Sequence, residues 1–157
     1  MRMKNWVKLV LSIAIPQIVA ATAAYFTVTG VGTWYKTIQR PAWNPPNWVF
    51  GPVWTMLYLM MGIAFFLIWK SSSPYRKVPV LLWATQLVVN FLWSFLFFGK
   101  HQIGWAMIDL VVLWLLILLT IFSFARINKT AACLLVPYIS WVSFAGILNY
   151  TICVLNK

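Results

Sequence analysis

Residues 79–98 read PVLLWATQLVVNFLWSFLFF, twenty consecutive positions without one charged side chain. That is the length an α-helix needs to cross the hydrocarbon core of a bilayer. Within the run Gln86, Asn90 and Ser94 recur every four positions, so they share one helical face, with Trp83, Trp93 and Phe97 beside them. In lipid such a polar face has to turn inward, toward other helices. The run has no period-2 alternation, and a five-stranded membrane barrel would leave open edges in the hydrocarbon, so strands are excluded.

Working outward by the same criterion, apolar runs fall near residues 6–28, 50–69, 79–98, 103–124 and 131–155. The chain has 157 residues, 63% hydrophobic and 8% charged, a balance that no water-soluble domain of this size presents to solvent. The expected architecture is an all-α integral membrane protein, one five-helix bundle over residues 1–157. Between the runs lie turn and charge signals at residues 29–32, 70–74, 99–101 and 126–129. Three of the four loops are short, which makes sequential helices antiparallel neighbours. Arg2, Lys4 and Lys8 precede the first run as in a signal peptide, but the run is too long for one and is read as a true helix. Pro16 and Pro137 are expected inside helices, as kinks.

The formal net charge is +11, but the basic residues sit two or three at a time at the ends of apolar runs, where they meet anionic headgroups. No basic stripe with stacking aromatics forms, so a nucleic-acid partner is excluded. Eight basic residues lie at the N-terminus and in the second and fourth loops, against four on the other side. For a bacterial plasma membrane this bias puts the N-terminus in the cytoplasm; an outer membrane is the other setting considered. Cys133 and Cys153 lie 20 residues apart on one expected helix, about 30 Å by helical rise, too far for a disulfide.

Residues 34–54, WYKTIQRPAWNPPNWVFGPVW, hold four Trp and four Pro. Such proline density opposes a long helix and predicts a stiff cap over one end of the bundle. An aromatic belt at headgroup level is the plainer reading of its tryptophans. Other helices contribute inward faces: Trp54, Tyr58 and Met61 on the second, and Trp141, Ala145, Leu148 and Asn149 on the fifth. Asp109, the chain's single acidic residue, lies one turn from Trp105. It is expected to face the interior, neutral or hydrogen-bonded, as a functional group or as interhelical glue through Asn90, Gln86 or an indole. Together these faces describe a cavity of aromatic rings with a few amides and no charge pair, suited to a large flat apolar ligand. His101 is the only histidine and lies in a loop, so neither a metal site nor a haem is supported, and no required cofactor is expected. Conventional acid–base hydrolysis has no residue set to carry it.

The chain resembles the TspO/MBR family of tryptophan-rich sensory and translocator proteins. The resemblance is carried by Trp34-Tyr35, Pro41-Ala42-Trp43-Asn44-Pro45-Pro46, Trp54, Gln86 to Asn90, Trp93-Ser94, Asp109, Leu134-Leu135-Val136-Pro137-Tyr138, Trp141, Phe144-Ala145 and Asn149. It implies a five-helix bundle, often a homodimer, that binds tetrapyrroles such as protoporphyrin IX, together with isoquinoline-carboxamide and benzodiazepine ligands. The motif carries over Tyr35, Trp54, Asn90, Trp141 and Ala145 as pocket residues. With Trp43, Pro45, Trp48, Tyr58, Trp93, Asp109, Phe144, Leu148 and Asn149 they make up the candidate ligand-binding set. The resemblance also implies light- and oxygen-dependent porphyrin degradation through Trp54 and Trp141. A transporter of porphyrin or another amphipathic molecule, with Asp109 as coupling group, is the alternative. The family's sterol pattern fails at the C-terminus, where six residues separate Tyr150 from Lys157, but Val31, Tyr35 and Arg40 satisfy it in the first loop. Ala20 and Ala24 form a small-xxx-small pair on the first helix, a motif the third helix lacks.

Overall fold

The computed structural model describes residues 3–157; Arg2, counted above among the basic residues, lies outside them. Helix α1 spans Asn5–Gly32 and is followed by a 3-10 turn at Trp34–Lys36. Next come α2 (Asn47–Lys70), α3 (Lys77–Ser94), continued by a π-helical turn at Phe95–Gly99, and α4 (Ile103–Ala125). A short α5 (Lys129–Cys133) and α6 (Val136–Leu155) complete the chain. Five segments are long and apolar enough to cross a membrane, α3 counted with its π turn and α5 with α6. The protein is thus an all-helical, multi-pass integral membrane protein.

Three boundaries differ from expectation. Residues 29–32 are helical rather than a turn. The glycine there serves close packing: a Cβ on Gly30 would lie 2.8 Å from the Phe98 Cβ. Helix α2 begins at Asn47, so Trp48 and Phe50 belong to it and not to the cap, and Pro52 lies inside it. Pro137 does not kink a helix. The chain breaks at residues 134–135, and Pro137 sits in the first turn of α6, where its missing N–H would have had no partner in any case. Cys133 and Cys153 therefore lie on separate helices and are free thiols. Pro16 is inside α1, as expected.

Because lipid tails are as apolar as a leucine core, packing and interhelical hydrogen bonds hold such a bundle together rather than water exclusion. Helix α1 shows this in a narrow form. Its buried residues, Ser12, Pro16, Ala23 and Gly30, are all small or compact and make a single seam. Near one end of the seam Gly62 of α2 comes so close that a Cβ would lie 2.7 Å from the Ser12 carbonyl oxygen and 2.8 Å from the Ile13 Cα. At the other end Gly30 leans on Phe98 of the π turn. Held to α2 at one end and to the π turn at the other, α1 diverges from α2 on the first-loop side of the membrane. Both contacts are with backbone or a fixed ring, so Gly62→Ala is expected to push the helices apart at a cost of about 1–2 kcal/mol. Thermal denaturation in detergent should register the loss, and an unchanged midpoint would mean that α1 can slide.

Helix α4 packs against α3, α5 and α6. Its buried stripe runs through Ala106, Leu110, Leu113, Ile117, Thr120 and Phe124.

Candidate functional site

The inward faces read from helical spacing converge under the first loop. Tyr35, Trp54, Trp93, Trp141, Phe144, Ala145, Leu148 and Asn149 line one pocket. Phe50, Phe97, Phe98 and Ile152 complete its wall. The rings pack on one another: Trp141 lies 5.5 Å from Phe144 and 6.1 Å from Phe50, and Trp93 stacks on Phe97 at 5.5 Å. The free space left is about 20 Å³, room for about one water and far below the 300–1,000 Å³ of a typical ligand pocket. The pocket is thus nearly filled by its own rings, and a ligand has to displace them to occupy it. No charged side chain lines it, so whatever enters is held by aromatic surface and by the Asn149 amide. That amide is itself fixed: its Oδ1 accepts from Trp93 Nε1 at 3.3 Å, and its Nδ2 donates to the Ile103 carbonyl at 3.1 Å.

Beneath the pocket a polar chain crosses the bundle. The Tyr58 hydroxyl donates to Asn90 Oδ1. Asn90 Nδ2 donates to the Tyr138 hydroxyl at 2.8 Å, which donates to Gln86 Oε1 at 2.8 Å. Helices α2, α3 and α6 are thereby tied together at membrane depth, with the partners that buried polar groups require. Trp54 sits on this layer, 5.6 Å from Tyr58 and 6.3 Å from Tyr138, with Trp93 at 6.5 Å.

The lid is residues 33–46. Tyr35 is 2% exposed, and its hydroxyl donates to Asn44 Oδ1 at 2.6 Å. Burial pushes this phenol above its ordinary value of 10.0, against the opposing pull of the Arg40 guanidinium and the Asn44 hydrogen bond; it therefore stays a neutral donor at physiological pH. The middle of the lid is clasped to the C-terminal end of α6, where Asn156 Oδ1 accepts from the Gln39 N–H and Asn156 Nδ2 donates to the Gln39 carbonyl, both at 2.9 Å. Asn156→Ala removes both bonds, about 1–2 kcal/mol. It is expected to raise hydrogen exchange at Gln39 and its neighbours about tenfold, and unchanged exchange would place the clasp elsewhere. Trp34 stacks on His101 at 4.4 Å, joining the lid to the loop after α3.

Other nominated residues lie apart from the pocket. Trp43 is exposed and touches Phe144 edge-on at 6.0 Å. Pro45 is half-buried in the lid, its carbonyl accepting from Asn44 Nδ2 at 3.0 Å. Trp48 is 75% exposed. Asp109 lines neither cavity. It sits just off the buried stripe of α4, half-buried, and its buried Oδ2 has no partner, so the expected bond to Asn90, Gln86 or an indole is not made. Trp105, the neighbour read with it, is 64% exposed. Tyr35 is buried and its hydroxyl donates to Asn44, so the first-loop sterol pattern has no exposed tyrosine to offer. Among the described residues no group of three or more His, Cys, Asp or Glu could hold a metal.

A second, larger cavity of about 620 Å³ lies between α1 and α2. Tyr58 and Asn90 form part of its wall, Trp48 borders it, and Trp54 lines both cavities.

Comparison with known proteins places these features in a group. The profile of the TspO/MBR family matches residues 12–155. The chain is similar to the Tryptophan-rich protein TspO of Chlorobaculum tepidum, 43% identical over 157 residues and 98% of each chain. It is also similar to the Translocator protein of Bos taurus, 38% identical over 92% of this chain and 88% of the other. Protein CrtK of Rhodobacter capsulatus is 37% identical over 87% and 84%.

Proposed function

The chain belongs to the TspO/MBR family, and on that footing we propose that it is a membrane receptor whose aromatic pocket binds tetrapyrroles such as protoporphyrin IX. The observation that carries the reading is the convergence of Tyr35, Trp54, Trp93, Trp141, Phe144 and Asn149 on one uncharged pocket under the lid. Indole and phenyl faces match the face of a macrocycle, and the amide supplies orientation. Flat drug-like molecules, isoquinoline carboxamides and benzodiazepines among them, satisfy the same surface. The N-terminus lies in the cytoplasm of a bacterial plasma membrane, supported by the basic residues at Lys4, Lys8, Lys70, Arg76, Lys77, Arg126 and Lys129 on that side.

Trp54 and Trp141 also act on the ligand under light. An indole in contact with a photoexcited macrocycle gives it one electron, becoming a radical cation. Dioxygen adds to a ring double bond of the reduced macrocycle, the adduct returns one electron to the indole, and its O–O and C–C bonds break to leave two carbonyls, so that macrocycle and dioxygen are consumed and the indole is restored. No proton-transfer residue is needed for this step, in keeping with a pocket that has none. Transport coupled through Asp109 has less support, because Asp109 borders neither cavity.

Titration of the purified protein with protoporphyrin IX in darkness tests the receptor reading. Quenching of tryptophan fluorescence that saturates at micromolar ligand is the expected result, and its absence would overturn the reading. For the transport alternative, liposome flux lost in Asp109→Asn would reverse the ranking.

A further inference from the structure

The aromatic pocket has a ligand to accept and no open way in from above. The lid covers it, Tyr35 is buried and bonded to Asn44, and Asn156 clasps the lid to α6. The wedge between α1 and α2 differs in size and in what borders it. Its volume, about 620 Å³, falls within the range that drug-sized and cofactor-sized ligands occupy. One wall is the small-residue face of α1, with Ala20 and Ala24, and the other carries Gly51 and the ring of Trp54. Ala24, Gly51 and Thr55 are exposed in the chain alone, so the wedge faces the bilayer.

Two chemical features mark it as more than a gap between helices. Lys36 borders the wedge at the first-loop end, an ammonium where the headgroup region begins. At its inner side Ser94 is 6% exposed, lines the wedge and makes no hydrogen bond among the described residues. Ser94 lies one turn from Asn90 and is otherwise enclosed, and its unpaired hydroxyl is the kind of group that a bound molecule satisfies. Phe50 and Trp54 line both cavities, so a turn of the Trp54 ring beside Phe50 would join the wedge to the aromatic pocket.

We infer that the wedge between α1 and α2 is a second binding site, open to the lipid, which takes the flat ligand edge-on with its carboxylates at Lys36 and passes it by Trp54 into the aromatic pocket. This rests on the tetrapyrrole reading above. A macrocycle dissolved in the bilayer then reaches the pocket without opening the lid, and the lid serves to keep water out.

The test is the rate of tryptophan quenching after mixing protoporphyrin IX with the protein in phosphatidylcholine nanodiscs. Gly51→Leu fills the wedge from α2. A Cβ there meets nothing within 4 Å, and leucine favours the helix more than glycine does. Ala24→Phe fills it from α1 and is read instead if the first variant does not fold. The expected result is association slowed about tenfold with final quenching retained, since orientation-limited rates change when the route is blocked. Lys36→Gln should slow the dicarboxylate about threefold and leave its dimethyl ester unaffected, as loss of one steering charge predicts. Wild-type association in the filled variant overturns the port and leaves the receptor reading intact, as would occupation of the wedge by lipid alone. Equal effects of Lys36→Gln on acid and ester overturn the assignment of the carboxylates. Absence of quenching in the wild type overturns port and receptor together.

Discussion

Light-driven bleaching of protoporphyrin IX by the purified protein is expected to fall about a hundredfold in Trp54→Phe/Trp141→Phe, a change of roughly 2.7 kcal/mol in barrier, while dark binding stays within about threefold of wild type. The two outcomes separate because phenylalanine keeps the apolar ring that holds the macrocycle but is much harder to oxidise than indole. Trp54 sits among Tyr58, Trp93 and Tyr138, and Trp141 among Phe50 and Phe144, so the two donors approach the pocket from α2 and α6. Each single variant leaves one donor in place and should retain most of the bleaching. Trp43→Phe is the control: this indole lies outside the pocket, and its loss should change neither quantity. Bleaching that persists in the double variant would mean that the light reaction is the free sensitiser's own chemistry, with the protein as a passive container.

Residues that face inward on regular helix were legible from spacing. Gln86, Asn90 and Ser94 are all buried, because polar groups four apart in an uncharged run leave lipid no acceptable face to cover. Trp54, Tyr58 and Met61 follow by the same arithmetic on α2. What escaped depends on departures from a 3.6-residue period. Phe98 reaches the interior together with Phe97, which spacing had already turned inward, although adjacent residues on an α-helix diverge by about 100°; the π turn at Phe95–Gly99, closed by the Lys100 N–H bond to the Phe95 carbonyl at 2.8 Å, admits both. Gly30 looked like a turn residue because its use, contact with Phe98, lies between segments remote in sequence. Asp109 shows a related limit: spacing turned it toward the interior, and its Oδ2 is buried, but it sits beside the buried stripe of α4 and meets none of the partners named for it. Tyr138 appeared only as part of a motif, and nothing local signals that its hydroxyl would link Asn90 to Gln86.

That linkage sets the second large effect. Asn90→Leu is expected to destabilise the bundle by about 2–4 kcal/mol, because it removes two hydrogen bonds at membrane depth and leaves the Tyr58 hydroxyl without its acceptor. Tyr58 loses its only acceptor in the network, and Tyr138 loses a donor while keeping its own bond to Gln86. The magnitude depends on whether the Tyr58 hydroxyl finds a new partner, and it has one route: Tyr58 lines the wedge between α1 and α2, from which polar lipid or water could reach it. Tyr138 has no such outlet, being fully enclosed. Adding Tyr58→Phe to Asn90→Leu should therefore recover part of the loss, with a coupling of about 0.6–1.7 kcal/mol, the range measured for interhelical bonds in membranes. Unfolding in detergent of the two single variants and the double variant closes the cycle. Coupling near zero would mean that the Tyr58 bond is incidental and that α2 is held here by the packing of Trp54 against Trp93 and Tyr138. A measurable coupling would instead make the layer of Tyr58, Asn90, Tyr138 and Gln86 the rigid floor against which the rings above it move, so that opening the pocket need not unfold the helices that carry it.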